Sequence, residues 1–339
     1  MKQAVMTEPG HIEFRDVAAP MPGPGEALLR IHRIGVCGSD IHVWHGKHPY
    51  TPYPVVQGHE FSACIEQIGE GVTGLAPGDK VTALPQEVCG TCGPCRRGDY
   101  HICDQLKVEG FQAPGCAQEL WVAPADRIVK LPPSFSYEQG ALVEPAAVAV
   151  HAVGRGGDMA GQNVVVLGAG PIGNLVAQVA AAGRANVLIT DLSDYRLDVA
   201  KRCGLAHVSN AGREPLADAV GRVFGEAGYG VAFECVGVEA TMGPAIETIG
   251  KGGTIVVVGV FAEKARVDLG LVQDRELTLR GTLMYRRDDY ERAVELIATG
   301  GIATDPLVTR HVAFEDYPAA YDFIERAGDK TLKVMIDLA

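Results

Sequence analysis

The chain of 339 residues is 47% apolar and 21% charged, long enough for about two domains and composed like an ordinary globular protein able to bury a real core. A formal charge of -12 excludes a nucleic-acid backbone as partner, because such binding relies on clustered Lys and Arg. No stretch is long and apolar enough to span a bilayer as a helix, and the charged, alternating start from Met1 to Val17 resembles a strand and not the apolar core of an export signal.

From Met1 to about Leu142, short alternating segments (Ala27 to Ile31, Ser62 to Ile68, Lys80 to Leu84, Leu120 to Val122) are broken by Pro and Gly, as at Pro20 to Gly25 and Pro77-Gly78, and predict a mostly β zone. From Gly161 to about Leu283, the apolar runs Asn163 to Leu167, Asn186 to Thr190, Gly230 to Phe233 and Thr254 to Val258 alternate with helical patterns such as Pro171 to Ala182 and Tyr195 to Cys203. That alternation predicts βαβ units, hence an α/β fold with a Rossmann doubly wound parallel sheet. After Tyr285, a helix from about Asp288 to Thr299, a strand near Val308 to Val312, a helix from about Glu315 to Arg326 and a strand Lys333 to Leu338 are expected to fold back onto the first zone.

Inserted in the first zone, at about residues 86 to 105, is Cys89-Gly-Thr-Cys92-Gly-Pro-Cys95 followed after seven residues by Cys103. Thiolates at two-residue gaps, with Gly90, Gly93 and Pro94 bending the chain back, can converge on one tetrahedral zinc at about 2.3 Å per Zn–S bond. Protein fills all four positions, so the site is structural. The other readings are a pair of disulfides or a redox Cys-x-x-Cys pair, which three consecutive spacings of this kind suit poorly. Nine cysteines, four of them committed to metal, fit a reducing compartment, and the expected location is the cytoplasm.

The second zone opens with Gly168-Ala169-Gly170-Pro171-Ile172-Gly173 directly after the strand Val164 to Leu167. Strand before, helix after and an acid at the end of the next strand make this a dinucleotide fingerprint. Asp191 is that acid: it can accept from the adenosine ribose hydroxyls and would repel a ribose phosphate, which favours NAD over NADP. The glycines let the backbone approach the pyrophosphate, and the helix start at Ile172 offers free N–H groups. Arg196, just beyond the acid, completes the candidate cofactor contacts in this zone.

A further constellation, Cys37-Gly38-Ser39-Asp40-Ile41-His42 and then Gly58-His59-Glu60, carries thiolate, imidazole and carboxylate, ligands that suit zinc. Together with the four-cysteine lobe, the fingerprint and the segment Val143-Glu144-Pro145-Ala146-Ala147-Val148-Ala149-Val150-His151-Ala152, these stretches resemble the zinc-containing medium-chain alcohol dehydrogenases, most of all their polyol branch of sorbitol dehydrogenase and its relatives on threonine or sugar acids. The likeness runs from end to end. It implies a GroES-like catalytic domain over 1-145 and 286-339 carrying the zinc lobe, an NAD-binding domain over 146-285, two zincs per subunit and a dimer or tetramer.

The resemblance also implies a catalytic zinc held by Cys37, His59 and Glu60 or Glu144, with an open position for water or substrate. No cysteine lies between Cys116 and Cys203, so a second thiolate at the position of Glu144 is missing. Glu144 is therefore a ligand or a partner of the zinc-bound water, and Asp40 orients His59. Zinc polarises the substrate oxygen, hydride passes to NAD, and the proton leaves through Ser39, a ribose hydroxyl and His42, unless His42 is only a solvated histidine. A basic residue near the last strand contacts the cofactor phosphate in the family; Lys333 matches it, against the plainer reading of a solubilising lysine.

Where the polyol branch has an Arg-Tyr pair on substrate hydroxyls, this chain has Met284-Tyr285 with Arg286 and Arg287 one step onward, which leaves room for a sugar acid whose carboxylate an arginine fork could bind. The expected activity is oxidation of a secondary alcohol of a polyol, sugar or sugar acid. Alternatives are a threonine-type oxidation of a 3-hydroxy amino acid, a non-catalytic zinc and nucleotide-binding relative, or a zinc-free reductase of the same fold. Cys64, Cys116, Cys203 and Cys235 read as packing residues.

Overall fold

The structure, a computed structural model, describes residues 1–338. The chain divides into two compact units: Met1–Glu144, Arg286–Val294 and the chain from Val308 onward form the first, and Pro145–Tyr285 with Glu295–Leu307 the second.

In the first unit the main sheet runs Val308–Ala313, Lys333–Asp337, Glu26–Gly35, Glu60–Ile68, Lys80–Ala83, Ile128–Lys130, and Leu120–Pro124 also pairs with the long Glu26–Gly35 strand. That strand sends Ala27, Leu29 and Ile31 inward and then Ile34, a change of parity that a two-residue ladder does not allow on its own. A register shift against Glu60–Ile68 between Ile31 and Arg33 supplies it, and leaves Gly35 opposite Glu60. The zinc lobe lies between the two-residue strands Gln86–Glu87 and Lys107–Val108. Phe61, Trp121, Ile65 and Val81 are buried in the core.

The second unit is a six-stranded parallel sheet in the order His207–Asn210, Asn186–Asp191, Asn163–Leu167, Val231–Glu234, Thr254–Val257, Thr278–Gly281. Counted along the chain, that is strand order 3-2-1-4-5-6, whose direction reverses beside Asn163–Leu167. Val164, Val165 and Val166 are completely buried, as a strand covered on both faces requires. The helix Pro171–Ala182 follows immediately, with proline at its first turn.

Three features differ from the sequence expectation. Glu295–Leu307 sits with the second unit because Gln178 clasps Ala303, accepting from its N–H at 2.7 Å and donating to its carbonyl at 3.4 Å. The helix expected from Glu315 starts only at Pro318, which takes the first-turn position. The segment from Val143 also forms a helix, Val143–Gly156, which the sequence reading did not include; its Ala146, Ala147, Ala149 and Ala152 are fully buried.

Candidate active site and metal centres

In the lobe, the sulfurs of Cys89, Cys92, Cys95 and Cys103 all lie within 4.8 Å of one another. Cys103 Sγ is 3.5 Å from that of Cys89 and 3.8 Å from that of Cys92, close to the edge of about 3.8 Å that Zn–S bonds of about 2.3 Å give a tetrahedron. The N–H groups of Thr91 and Cys92 and the Thr91 hydroxyl donate to Cys89 and hold its thiol down at about 6, favouring the thiolate that a metal needs. All nine cysteines are free, so these residues fit a closed zinc site and not disulfides.

The second cluster gathers at the end of the long strand. Cys37 caps the helix Gly38–Trp44, and Gly58 turns at φ +92° to lead into His59 and Glu60. A side chain at Gly58 would crowd the Cys116 sulfur at 3.0 Å, so both the turn and the space call for glycine there. Ligand atoms of Cys37, His59 and Glu60 all lie within 4.8 Å of one another. His59 and Glu60 are buried, and a thiol, an imidazole and a carboxylate converging away from solvent form a donor set that fits zinc.

Burial opposes protonation of His59, but the charge of Asp40, the Cys37 thiol and the charge of Glu144 prevail and push the imidazole up to about 10. That anionic surrounding suits a divalent cation as well as a proton. Asp40, wholly buried, accepts from the Cys37 N–H at 2.9 Å, and its other oxygen faces His59 Nδ1 at 3.8 Å. Burial drives the Asp40 carboxyl up, with His59 and the Cys37 N–H pulling against it. Glu144, 5% exposed in the first turn of Val143–Gly156, stands outside the three-residue ligand group.

Lys333 requires a correction. It is 2% exposed, and its ammonium donates to both Glu60 oxygens at 2.7 and 2.5 Å and to the Val36 carbonyl at 3.2 Å. It is therefore neither solubilising nor presented to a cofactor phosphate. Burial works against the charged ammonium, yet Glu60 and Cys37 keep its pKa raised. Gly35 makes the pair possible, since a side chain there would collide with Glu60 Oε2 at 2.3 Å.

Arg286 and Arg287 are engaged by the protein's own groups. Arg286 donates to Asp99 at 2.7 Å and reaches His101, while Arg287 donates to the carbonyls of Asp126 and Ile128. They brace the zinc lobe and its neighbouring strand, and Tyr285 is fully buried. Ser39 is half-buried and His42 exposed on the short helix after Cys37. Trp44 stacks on Tyr321 at 4.5 Å, so it is core.

In the second unit, Gly168 turns at φ +99°, and a side chain on Gly173 would strike the Gly168 carbonyl at 1.9 Å, so the helix can approach the strand only without one. Gly170, the N-cap of Pro171–Ala182, brings no side chain to the first-turn N–H groups, leaving Ile172 and Gly173 to face an anion. Asp191 accepts from the N–H groups of Ala169 at 2.7 Å and Ser193 at 2.8 Å, which ties the acid to the glycine turn. Arg196 Nη1 is 4.0 Å from Asp191, and its Nε is buried without a partner.

Two supporting residues escaped the sequence reading. Glu234, fully buried at a strand end, accepts from the N–H groups of Val236 and Gly237 and from the Thr241 hydroxyl and so shapes the next loop of the nucleotide unit. Gln57, 2% exposed, donates to Asp40. A polar residue in the apolar run Val55-Val56 ahead of Gly58-His59-Glu60 was the signal for it.

Residues 23–133 match the alcohol dehydrogenase GroES-like domain and residues 171–299 the zinc-binding dehydrogenase domain. The 2-dehydro-3-deoxy-L-galactonate 5-dehydrogenase of Pseudoalteromonas atlantica is 38% identical over 88% of each chain. The D-xylulose reductase of Saccharomyces cerevisiae is 32% identical over 98% of this chain and 96% of its own. A zinc-binding dehydrogenase from Sinorhizobium meliloti 1021, solved bound to NADP, superposes with a TM-score of 0.92 at 30% identity over 99% of each chain. With both domain matches in chain order and relatives aligned along nearly the whole length, this chain belongs to the zinc-containing medium-chain alcohol dehydrogenases, in their polyol dehydrogenase branch, and is an oxidoreductase.

Proposed function

We propose that the chain oxidises a secondary alcohol of a polyol or sugar acid, reversibly, with NAD as hydride acceptor and a catalytic zinc held by Cys37 and His59 with Glu60 as the exchangeable third ligand. The observation that carries this reading is the thiol, imidazole and carboxylate within 4.8 Å of one another, separate from the four-cysteine lobe and with Glu144 near enough to act on His59.

When bound, zinc supplies Lewis-acid polarisation of the substrate oxygen, and NAD takes the hydride. The residues do the rest. Cys37 and His59 hold the metal from two separate segments of the chain. Lys333 offsets the Glu60 charge and keeps that carboxylate partnered in the core whether or not it would serve as a ligand. Glu144 orients the incoming hydroxyl as an acceptor. The alcohol proton would leave through the Ser39 hydroxyl toward His42, which is exposed to solvent.

NAD is favoured over NADP because Asp191 is an acid already accepting two backbone N–H groups at the ribose end of the fingerprint. The sugar-acid and polyol class rests on the two relatives named above. A homodimer or tetramer is part of the proposal: Thr278–Gly281 is an edge strand, and Leu279 and Leu283 beside it are 37% and 54% exposed. Thr254–Val257, by contrast, has neighbours on both sides.

The test is a screen of polyols, sugar acids and 3-hydroxy amino acids for NAD reduction by absorbance, with zinc analysis of the purified chain. Two zincs per chain and turnover of a polyol or sugar acid support the reading. A single zinc, or turnover confined to 3-hydroxy amino acids, sinks it.

A further inference from the structure

Behind the metal cluster a polar thread runs through otherwise apolar core. Tyr321, 1% exposed on the C-terminal helix Pro318–Ala327, donates its hydroxyl to Gln57 Oε1 at 2.6 Å. The Gln57 amide then donates to Asp40 Oδ1 at 3.3 Å and to the Asp40 carbonyl at 3.4 Å. Asp40 Oδ2 is taken by the Cys37 N–H, and Oδ1 faces His59 Nδ1. Buried polar groups are costly unless each finds a partner, so a thread of this kind needs a reason beyond packing.

Its direction supplies one. An amide oxygen can only accept, so with the tyrosine hydroxyl donating to it, the Gln57 NH2 must point at Asp40. A carboxylate receiving donors on both oxygens is held as an acceptor. His59 Nδ1 lies 3.8 Å from Oδ1, beyond direct hydrogen-bond reach, and the negative charge held there favours an N–H on that nitrogen, which leaves the lone pair on Nε2 for the metal. Were the Gln57 amide reversed, its oxygen would oppose that of Asp40 and the ordering would be lost.

We propose that Gln57 and Tyr321 are positioning residues, a thread of directed hydrogen bonds from the C-terminal helix that holds the Asp40 carboxylate so that its charge, facing Nδ1, fixes the tautomer and tilt in which His59 receives the catalytic metal. The role rests on the metal assignment to Cys37 and His59. It acts on the metal centre through Asp40 and not on substrate. Packing alone does not need the hydroxyl, because the ring that stacks on Trp44 is the same in phenylalanine.

The experiment uses the full zinc-loaded chain, wild type beside Tyr321→Phe and Gln57→Leu. One readout is the rate at which each of the two zincs passes to a chelator. The other is the visible spectrum after cobalt replaces the catalytic ion. In both variants one metal should be held about tenfold more weakly and the cobalt bands should shift, while the four-cysteine zinc and the melting temperature stay as in wild type. The double variant should be little worse than either single one, because both break the same thread. Retention and spectra equal to wild type in both variants overturn the proposal, and so does equal loosening of both zincs, which would signal general softening. If wild type itself carries only the lobe zinc, the metal assignment fails and takes this inference with it.

Discussion

Lys333 and Glu60 form a buried ion pair, 2% and 1% exposed, across 273 residues of sequence, with the ammonium on both carboxylate oxygens. Removing one partner of such a pair strands the other charge in the core, at a cost of roughly 3–5 kcal/mol. Lys333→Met should therefore lower the melting temperature sharply, and Lys333→Met with Glu60→Gln should recover much of the loss. Calorimetry of the three proteins checks this. A double variant no more stable than Lys333→Met would mean that the charge balance is not what the pair provides.

The two metal centres should separate by mutation. Cys37→Ala removes a ligand from the centre that meets substrate and should cut turnover by several orders of magnitude while NADH still binds. Cys95→Ala opens the closed lobe, where metal binding is coupled to folding, so its main effect should be on thermal or oligomeric stability. Glu144→Ala should reduce turnover strongly with little change in melting. Steady-state rates, NADH fluorescence and melting curves for the three variants decide it; near-normal turnover by Cys37→Ala would falsify the assignment.

Cofactor choice should follow Asp191. Asp191→Ala removes the acceptor for the ribose hydroxyls and the charge that repels a ribose phosphate, so the ratio of kcat/KM for NAD over NADP should fall by about tenfold or more. An unchanged ratio would place Asp191 away from the ribose.

Glu109 gives a pH test. Burial pushes its carboxyl up to about 7, Arg127 offsetting only part of that, against 4.5 for an ordinary glutamate. The native state then binds the proton more tightly than the unfolded chain between about 4.5 and 7, so this group costs stability as pH rises through that window, on the order of 3 kcal/mol once above it. Glu109→Gln should raise the melting temperature at pH 8 relative to wild type and change it little at pH 4. A gain of the same size at both values would point to a cause other than ionisation.

Assembly should depend on the Thr278–Gly281 edge. Placing charge on it with Leu279→Glu and Leu283→Glu together should shift light scattering from an oligomer toward the 35.8 kDa chain. A wild-type protein that already runs as a stable monomer removes the proposal.

The lobe cysteines, the glycine fingerprint and Asp191 were legible in the sequence because their chemistry depends on residues close together along the chain: ligands two residues apart, a turn between one strand and its helix, an acid ending the next strand. Central strands such as Asn163–Leu167 were equally plain from their apolar runs. The helix Val143–Gly156 was not read as a helix, although its segment carries Glu144.

What the sequence by itself determined, then, was the set of residue types available for the proposed chemistry and the alternation of elements that makes the fold. Tertiary structure alone decided who faces whom. Lys333 turned from a candidate phosphate contact into the partner of Glu60, Arg286 and Arg287 met Asp99 and the Asp126 and Ile128 carbonyls, and Gln57 met Tyr321 across 264 residues. Such pairings are set by strand register, by a bulge that brings Gly35 opposite Glu60, and by the demand that each buried polar group find a partner, none of which has a period along the chain.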